Sequence, residues 1–495
     1  MPILTPGRRW QPAYFPFRHT TWNESFAAWV ERSLKGPVWG CRMCGNCTLQ
    51  ETAFICPMEC PKGLKNGPCG GSLPKKCYVD ETRPCIWYAI YDRAFKMGRQ
   101  EMLLEVLPPL DYERVGTELW SEVFKSLGKF GVRRFFRGVF SRDKELKTET
   151  WDAFFVPLRQ PDWWQGDAKY HAPAYTEPAS ELERRLKAGE FVVTGEVAPP
   201  QTVSTKKLVQ NIETVRPYVS AINFTDCPSA TPRMSSQACS IIAIQNKAEP
   251  VFQIASRDRD RVGIQADVIG AAALGVKNIL CISGDSMSMT PAPRGRMDIM
   301  DLDSVHMIWM LRRMRDEQKY LDGRPIKFPP KYFIGAAAAP YASDPRFQAI
   351  REHKKVNAGA QFFQTNLVFD PDGLEVWLNE LAKRNILDNV YILIGITPIR
   401  SAKMAHYLDK EVPGVSVPKK YLDRLDAAGD GAEEEGVQIS LEIIEAVRKK
   451  QGVRGIHLMA VNWEEIVPRI VTEAGLLPAG FSPPVQVEGK VKEGK

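Results

Sequence analysis

The chain has 495 residues, 44% hydrophobic and 25% charged, with a net charge of +7. That length exceeds one small domain and leaves room for a barrel of about 250 residues or more beside a second unit. No run of about 18 apolar residues occurs, which argues against a transmembrane segment. The opening "MPILTPGRRWQPAYF" lacks the basic-then-apolar pattern of a secretory signal, so a cytoplasmic protein is expected.

Residues 1 to 170 hold 25 Lys and Arg against 19 Asp and Glu, so +6 of the net charge lies in the first third. Such an excess suits a mildly basic solvated face, or a docking face for an acidic protein such as an electron carrier. Interleaved acids and the lack of a recognised motif argue against nucleic acid. The first predicted element is an amphipathic helix over "SFAAWVERSLK", residues 25 to 35. "CRMCGNCTLQETAFICPMECPKGLKNGPCGG", residues 41 to 71, follows with six cysteines. With Cys77 and Cys85, eight of the eleven cysteines fall between 41 and 85. Thiols of a cytosolic protein stay reduced, so this density points to metal ligation rather than disulfides.

A second helix is predicted over 86 to 106. A third, over "GTELWSEVFKSLGKFGVRRFFRGVF" (116 to 140), carries a basic, aromatic stripe. Such a stripe suits a core or inter-domain contact better than a membrane surface. Residues 159 to 178, rich in Pro, Gly and Trp, read as an ordered linker. Residues 486 to 495 read as a frayed tail.

From about 179 the pattern becomes strand then helix, repeated. Apolar, β-branched runs recur at 190–200, 219–228, 249–256, 276–285, 331–340, 360–370, 389–398 and 454–462. Eight such runs separated by amphipathic segments predict an α/β fold, a (β/α)8 TIM barrel over 179 to 485. A mainly helical or irregular cysteine-rich metal-binding domain, 1 to 158, precedes it. A doubly wound open sheet is the structural alternative, but no G-x-G-x-x-G follows a strand. Barrel chemistry sits at the C-terminal strand ends. Those ends carry Glu196, Thr225, Asp226, Gln253, Asp285, Ala337, Asn366 and Thr397. Glu196 lies in the apolar "VVTGEVAPP", where partial desolvation would favour its protonated form, as a general acid requires. Asp285 ends "LCISGD", where Gly284 permits close backbone approach to a flat ligand. Each carboxylate could instead cap a helix or pair with an arginine.

"TGEVAPP", "NFTD", "SRDRDRVGIQADVIGAAALGVKNILCISGD", "MDLDSV", "KKVNAGAQFFQTN" and "GITPIRS" together resemble the methylenetetrahydrofolate reductase family through nearly the whole of 180 to 480. "CRMCGNC", "CPKGLKNGPCGG" and "RPC" resemble the small cysteine-rich subunit that accompanies such reductases in acetogenic and other anaerobic bacteria, here fused in one chain. The resemblance implies a flavin-bearing barrel that reduces 5,10-methylenetetrahydrofolate to 5-methyltetrahydrofolate, or runs the reverse. It assigns the acid to Glu196 and a contact with flavin and pterin to Asp285. Thr225, Gln253, Ala337, Arg351 and Lys355 fall at flavin-contacting positions. Asn366, Met404 and Leu408 fall at substrate positions. Asn366 stands where many members have Gln, Ser283 replaces an Arg, and Met404 and Leu408 replace a Gln and a Phe. These departures weaken direct NAD(P)H binding. The short turn "AAAAPYASDP" favours FMN over FAD.

Cys41, Cys44 and Cys47 are spaced C-x2-C-x2-C, which resembles the ferredoxin run. With Cys56, Cys60, Cys69, Cys77 and Cys85 they suffice for two [4Fe–4S] clusters. One cluster with a zinc site, or zinc alone, uses the same count. Cys227, Cys239 and Cys281 lie in strand and helix patterns and read as small core residues. The expected route brings electrons from ferredoxin or a heterodisulfide-reductase-like subunit through the clusters to flavin. Two rivals stand beside it. One is an NAD(P)H-dependent reductase with a structural zinc domain. The other is a non-catalytic methyl-folate-binding module serving a corrinoid methyltransferase. Oligomerisation is open.

Overall fold

The computed structural model describes residues 22–143, 145–147, 149–150, 158–290, 299–341, 344–412 and 414–481. The expected tail, 486–495, and residues 1–21 lie outside them. Eight strands occupy the apolar runs: β1 Val192–Val197, β2 Ala221–Phe224, β3 Pro250–Ala255, β4 Asn278–Ile282, β5 Phe333–Ala338, β6 Phe362–Leu367, β7 Tyr391–Ile396 and β8 Val453–Leu458. They close in chain order into one barrel, parallel throughout, with β1 pairing both β2 and β8. Helices on the outside cover one face of every strand, and side chains of the barrel interior cover the other. Hence β3, PVFQIA, is buried along its whole length.

The two ends of the barrel differ. At the N-terminal end, Val192, Ala221, Val251, Leu280, Phe333, Phe362 and Leu393 form a compact apolar plug with Leu182 and Leu186. Those leucines belong to helix Glu181–Lys187, which crosses the bottom and donates the Glu181 and Leu182 N–H groups to Glu249. The Phe333 and Phe362 rings stack at 4.7 Å. Gly335 makes room for them: a Cβ there would come within 2.2 Å of Phe362. Above the plug the interior turns polar. Gln364 Nε2 donates to Thr194 Oγ1 and Asn223 Oδ1, each at 3.0 Å, and Asn223 Nδ2 returns a bond of 2.6 Å to Gln364 Oε1. With the bottom plugged, the C-terminal end is the open one.

The cysteine-rich segment is mostly irregular, between helices Trp22–Trp39 and Ile86–Lys96. The helix expected over 86–106 ends at Lys96, because Gly98 adopts a left-handed φ of 66°; a 3-10 turn, Gln100–Leu104, follows. The helix expected over 116–140 breaks at Gly131, φ 94°, into Trp120–Phe130 and Val132–Val139. Helix Ile86–Lys96 packs Tyr88, Tyr91 and Phe95 around Phe347 at ring distances of 5.9, 5.4 and 5.1 Å. Phe347 lies on the barrel helix Pro345–Ala358, so one apolar core spans both parts of the chain. In the segment expected as a linker, Trp164 is fully buried against Trp309 and His306.

A buried carboxylate joins the parts. Asp303 Oδ2 accepts the backbone N–H groups of Lys65 and Asn66, both at 3.0 Å, while Oδ1 caps helix Ser304–Arg312 through the His306 N–H. The His306 ring accepts the Asp303 N–H at Nδ1 and meets the Leu107 carbonyl at Nε2, 2.9 Å. That pattern uses the neutral ring, and burial pushes its pKa below the ordinary value.

Asp303→Ala leaves three buried N–H groups, of Lys65, Asn66 and His306, without their acceptor and is expected to cost about 3 kcal/mol in urea unfolding; a loss below about 0.5 kcal/mol would contradict the role given to this carboxylate. Because the folded ring resists a proton that the unfolded ring takes near 6.5, stability is full above that pH and declines as pH falls below it. The decline between pH 7 and pH 5 should flatten in His306→Gln.

Candidate functional site at the barrel mouth

Two carboxylates stand at the open end, from β1 and the loop after β4. Glu196 is half-buried. Its Oε2 lies 3.5 Å from Gln253 Nε2 and 3.6 Å from His457 Nε2. His457, on β8, is fixed from beneath by a 3.0 Å contact between Nδ1 and Thr194 Oγ1. The polar interior therefore aims an imidazole nitrogen at the carboxylate. Sequence reasoning placed β8 but did not single out His457; a histidine between the apolar residues Ile456 and Leu458 was the available signal.

Asp285 is half-buried too. Oδ2 accepts the Ser229 N–H at 2.7 Å, and Oδ1 receives the Tyr78 hydroxyl at 3.4 Å. The Ser229 donor comes from a strained loop after β2. Cys227, Ser229 and Ala230 all take left-handed φ values of 46°, 54° and 53°, a conformation non-glycine residues rarely adopt. Gly284, φ 73°, is required where it stands: a Cβ would meet Ala255 and Arg257 at 3.1 and 3.2 Å. Its carbonyl accepts Lys62 Nζ from the cysteine-rich segment.

The remaining expected residues are spread around the rim. Thr225 is half-buried just beyond β2. Asp226, by contrast, is structural: it accepts the Ala255 N–H and pairs with Arg259 at 2.6 Å. Ala337 is exposed near the end of β5, and Lys355 donates to its carbonyl. Lys355 is 1% exposed and pairs with Glu352 at 2.6 Å. Burial, then the neighbouring Arg351, pushes its pKa down to about 8. Asn366 sits in the register shift between β6 and β7 and turns its Oδ1 back onto the Leu367 N–H. Met404 is half-buried, and Leu408 is buried in the outer core beneath helix Ala402–Glu411.

Buried polar atoms without partners gather on helix Pro345–Ala358 and beside it: both amide atoms of Gln348, Glu352 Oε1 and, across the seam, Tyr91 OH. Tyr91 OH and the Arg351 side chain both border Gly67. Orphaned groups next to Arg351, Lys355 and the Ala337 strand end suit a ligand carrying hydroxyls and a negative charge, which is what a ribityl phosphate offers.

The cysteines fall into two neighbourhoods. Cys41, Cys44, Cys47 and Cys56 line one cavity of about 30 Å³ with Met43 and Lys65. Cys69 lies close enough to help raise the pKa of both Cys60 and Cys85, and Cys85 that of Cys60, with Cys77 on the loop after Cys69. Burial pushes Cys41 and Cys60 up to about 12 and Cys85 to about 11. Among the described residues, no three His, Cys, Asp or Glu side chains stand close enough together to hold a metal ion. This differs from the eight closed thiolate ligands expected from sequence. The donors are gathered but not drawn onto common centres. The donor chemistry still fits a soft cation, which would relieve the crowding of buried sulfurs by taking them as thiolates.

The loop of the second neighbourhood reaches the barrel. A Cβ on Gly70 would touch Ala339 at 3.4 Å, and one on Gly414 would meet the Gly70 carbonyl at 2.9 Å. Cys69 thus lies on a loop laid against the barrel mouth.

Residues 181–475 match the family model described as methylenetetrahydrofolate reductase. The chain belongs to the methylenetetrahydrofolate reductase family. A second model, described as methylene-tetrahydrofolate reductase C terminal, matches residues 20–113, which lie on the N-terminal side of the barrel in this reductase-family chain. Methylenetetrahydrofolate reductase 1 of Schizosaccharomyces pombe is 27% identical over 229 residues, covering 44% of this chain and 34% of the relative. The match thus spans about a third of that curated relative. Among solved structures, a Clostridium thermocellum protein described as binding two copies of 5-methyl-5,6,7,8-tetrahydrofolic acid aligns at 15% identity and TM-score 0.43, covering 59% of this chain and 97% of that one. A 2,3-dimethylmalate lyase aligns at 11% identity and TM-score 0.35, covering 64% and 93%. Neither likeness is close enough to carry an argument about this family member.

The Glu352–Lys355 pair gives a test independent of any ligand. Lys355→Met alone strands a buried carboxylate and should cost about 3–5 kcal/mol in urea unfolding. Adding Glu352→Gln should recover most of that loss. A single variant as stable as the parent would show that the pair is not buried as described.

Proposed function

We propose that this family member interconverts 5,10-methylenetetrahydrofolate and 5-methyltetrahydrofolate at the barrel mouth, using a bound flavin, with electrons entering through the cysteine-rich segment. The observation that carries the reading is the pairing of Glu196 with His457 Nε2 at 3.6 Å on the rim that also carries a fixed Asp285. A carboxylate and an imidazole within reach of each other can share one proton, which the pair can pass to a substrate nitrogen as the one-carbon bridge opens. Asp285, held between two donors, is placed to favour the cationic iminium that opening creates. Gln253 steadies Glu196, and Asn366, Met404 and Thr225 border the folate and flavin faces.

Arg351, Lys355 and the Gln348 amide N–H would hold the flavin's ribityl phosphate, FMN in preference to FAD, with the Ala337 carbonyl edge accepting from a ribityl hydroxyl. When bound, the flavin supplies hydride chemistry. Cys41, Cys44, Cys47 and Cys56 would hold one iron–sulfur cluster, and Cys60, Cys69, Cys77 and Cys85 another. Bound clusters supply one-electron transfer. The basic surplus of the first third suits an acidic, low-potential donor such as ferredoxin. On this reading residues 1–158 are the electron-entry module and 179–485 the catalytic barrel.

Glu196→Gln should lower folate turnover by roughly 10²–10⁴-fold while flavin content stays at the parent level. Turnover within about threefold of the parent would remove Glu196 from the acid role. Anaerobically purified protein should contain iron and acid-labile sulfide in equal amounts and release FMN on denaturation. Zinc without sulfide would overturn electron entry through the cysteines.

A further inference from the structure

The cysteine-rich segment does more than rest on the barrel: it inserts a side chain into the candidate site. Tyr78 lies one residue after Cys77, and its hydroxyl reaches Asp285 Oδ1 at 3.4 Å. The phenol oxygen also takes a bond from the Ser286 backbone, so one hydroxyl grips two successive residues of the loop after β4. Lys62, from the same segment, donates to the Gly284 carbonyl and sits 5.5 Å from the Tyr78 ring centre. Three consecutive loop residues, 284 to 286, are thus held from the N-terminal part of the chain.

Tyr78 is itself fixed. Its N–H donates to Ser72 Oγ at 3.2 Å, and Ser72 Oγ lies 3.0 Å from Cys69 Sγ. The Cys77 N–H donates to the Arg83 carbonyl. On the other side, the Ser229 N–H comes from a loop with three left-handed residues. Asp285 is therefore clamped between a strained barrel loop and an ordered side chain from outside the barrel.

We propose that Tyr78 is a positioning residue for Asp285, so that the folate-binding carboxylate is set only when the cysteine-rich segment is docked. This rests on the folate reading above for its ligand, though not for its geometry. A carboxylate gripped at both oxygens keeps one rotamer, and a ligand need not pay for ordering it. Without the hydroxyl, Asp285 keeps the Ser229 bond alone, and Ser286 loses its acceptor.

The test uses the full chain in four forms: parent, Tyr78→Phe, Asp285→Asn and the double variant. In Tyr78→Phe, amide hydrogen exchange in peptides spanning Ser229 and Ser286 should rise by about threefold or more at unchanged metal content, because Ser286 loses its acceptor and the carboxylate that accepts the Ser229 N–H is no longer held at its other oxygen. Unchanged exchange there would overturn the proposal. Affinity for 5-methyltetrahydrofolate should fall about tenfold in Tyr78→Phe, yet by less than about twofold when the same change is made in Asp285→Asn. An equal loss in both backgrounds would mean Tyr78 acts on its own, and would also overturn it. A parent protein that binds no folate, with the exchange response intact, would remove the folate reading and leave the positioning role standing. Should Tyr78→Phe not fold, Asp285→Asn gives the reciprocal measurement: exchange at the Tyr78 amide rises if the pair is coupled and is unchanged if it is not.

Discussion

The arrangement of this chain depends on one buried carboxylate. Asp303 collects the N–H groups of Lys65 and Asn66 and caps a barrel helix with its other oxygen. A segment with little regular structure has few internal partners for its backbone, and a buried N–H without an acceptor is costly. Asp303 supplies the acceptor from the barrel. From 65 and 66, fixed there, the loop through Gly67, Cys69 and Gly70 runs across the barrel mouth, with Gly70 beside Ala339 and Gly414. Lys62 and Tyr78 then reach the loop after β4. The aromatic cluster around Phe347 adds apolar area to the same contact but does not fix its register.

Inside the barrel, polarity is graded along the axis. An aromatic and aliphatic plug closes the bottom. A hydrogen-bonded layer of Thr194, Asn223 and Gln364 lies above it, and His457 rises from that layer to face Glu196. Each level fixes the next, so the rim residues are held by contacts that no ligand has to form. That is the usual requirement for a site that orders charge before substrate arrives. The two rim carboxylates are served differently. Glu196 is supported from within the barrel, whereas Asp285 is supported from a loop under backbone strain and from the cysteine-rich segment.

Much of the fold was legible because a barrel strand announces itself: all eight apolar runs became strands, since each is covered on both faces and tolerates few polar residues. Rim positions followed from the strand ends, which is how Glu196, Gln253 and Asp285 were found. Helix lengths were not legible, because Gly98 and Gly131 end helices whose apolar periodicity continues past them. Asp226 shows the limit of reading strand ends: position alone does not reveal that Arg259 neutralises it. Tyr78 was invisible for a deeper reason. Its partner lies 207 residues away, and nothing local in "KKCYVD" marks a side chain that crosses into another part of the fold. The division of the cysteines into 41, 44, 47, 56 on one side and 60, 69, 85 on the other likewise depends on how the irregular segment coils, which spacing does not determine.

The central claim is that one chain carries both the electron entry and the folate site, joined at the barrel mouth. Anaerobic stopped-flow mixing tests it most directly. Protein reduced with a low-potential one-electron donor is mixed with 5,10-methylenetetrahydrofolate while flavin and iron–sulfur absorption are followed together. The account predicts that flavin reoxidises on folate addition, that the clusters reoxidise after it, and that 5-methyltetrahydrofolate forms in matching amount. Flavin that accepts electrons only from NAD(P)H, in protein whose cysteines carry no redox-active metal, would contradict it.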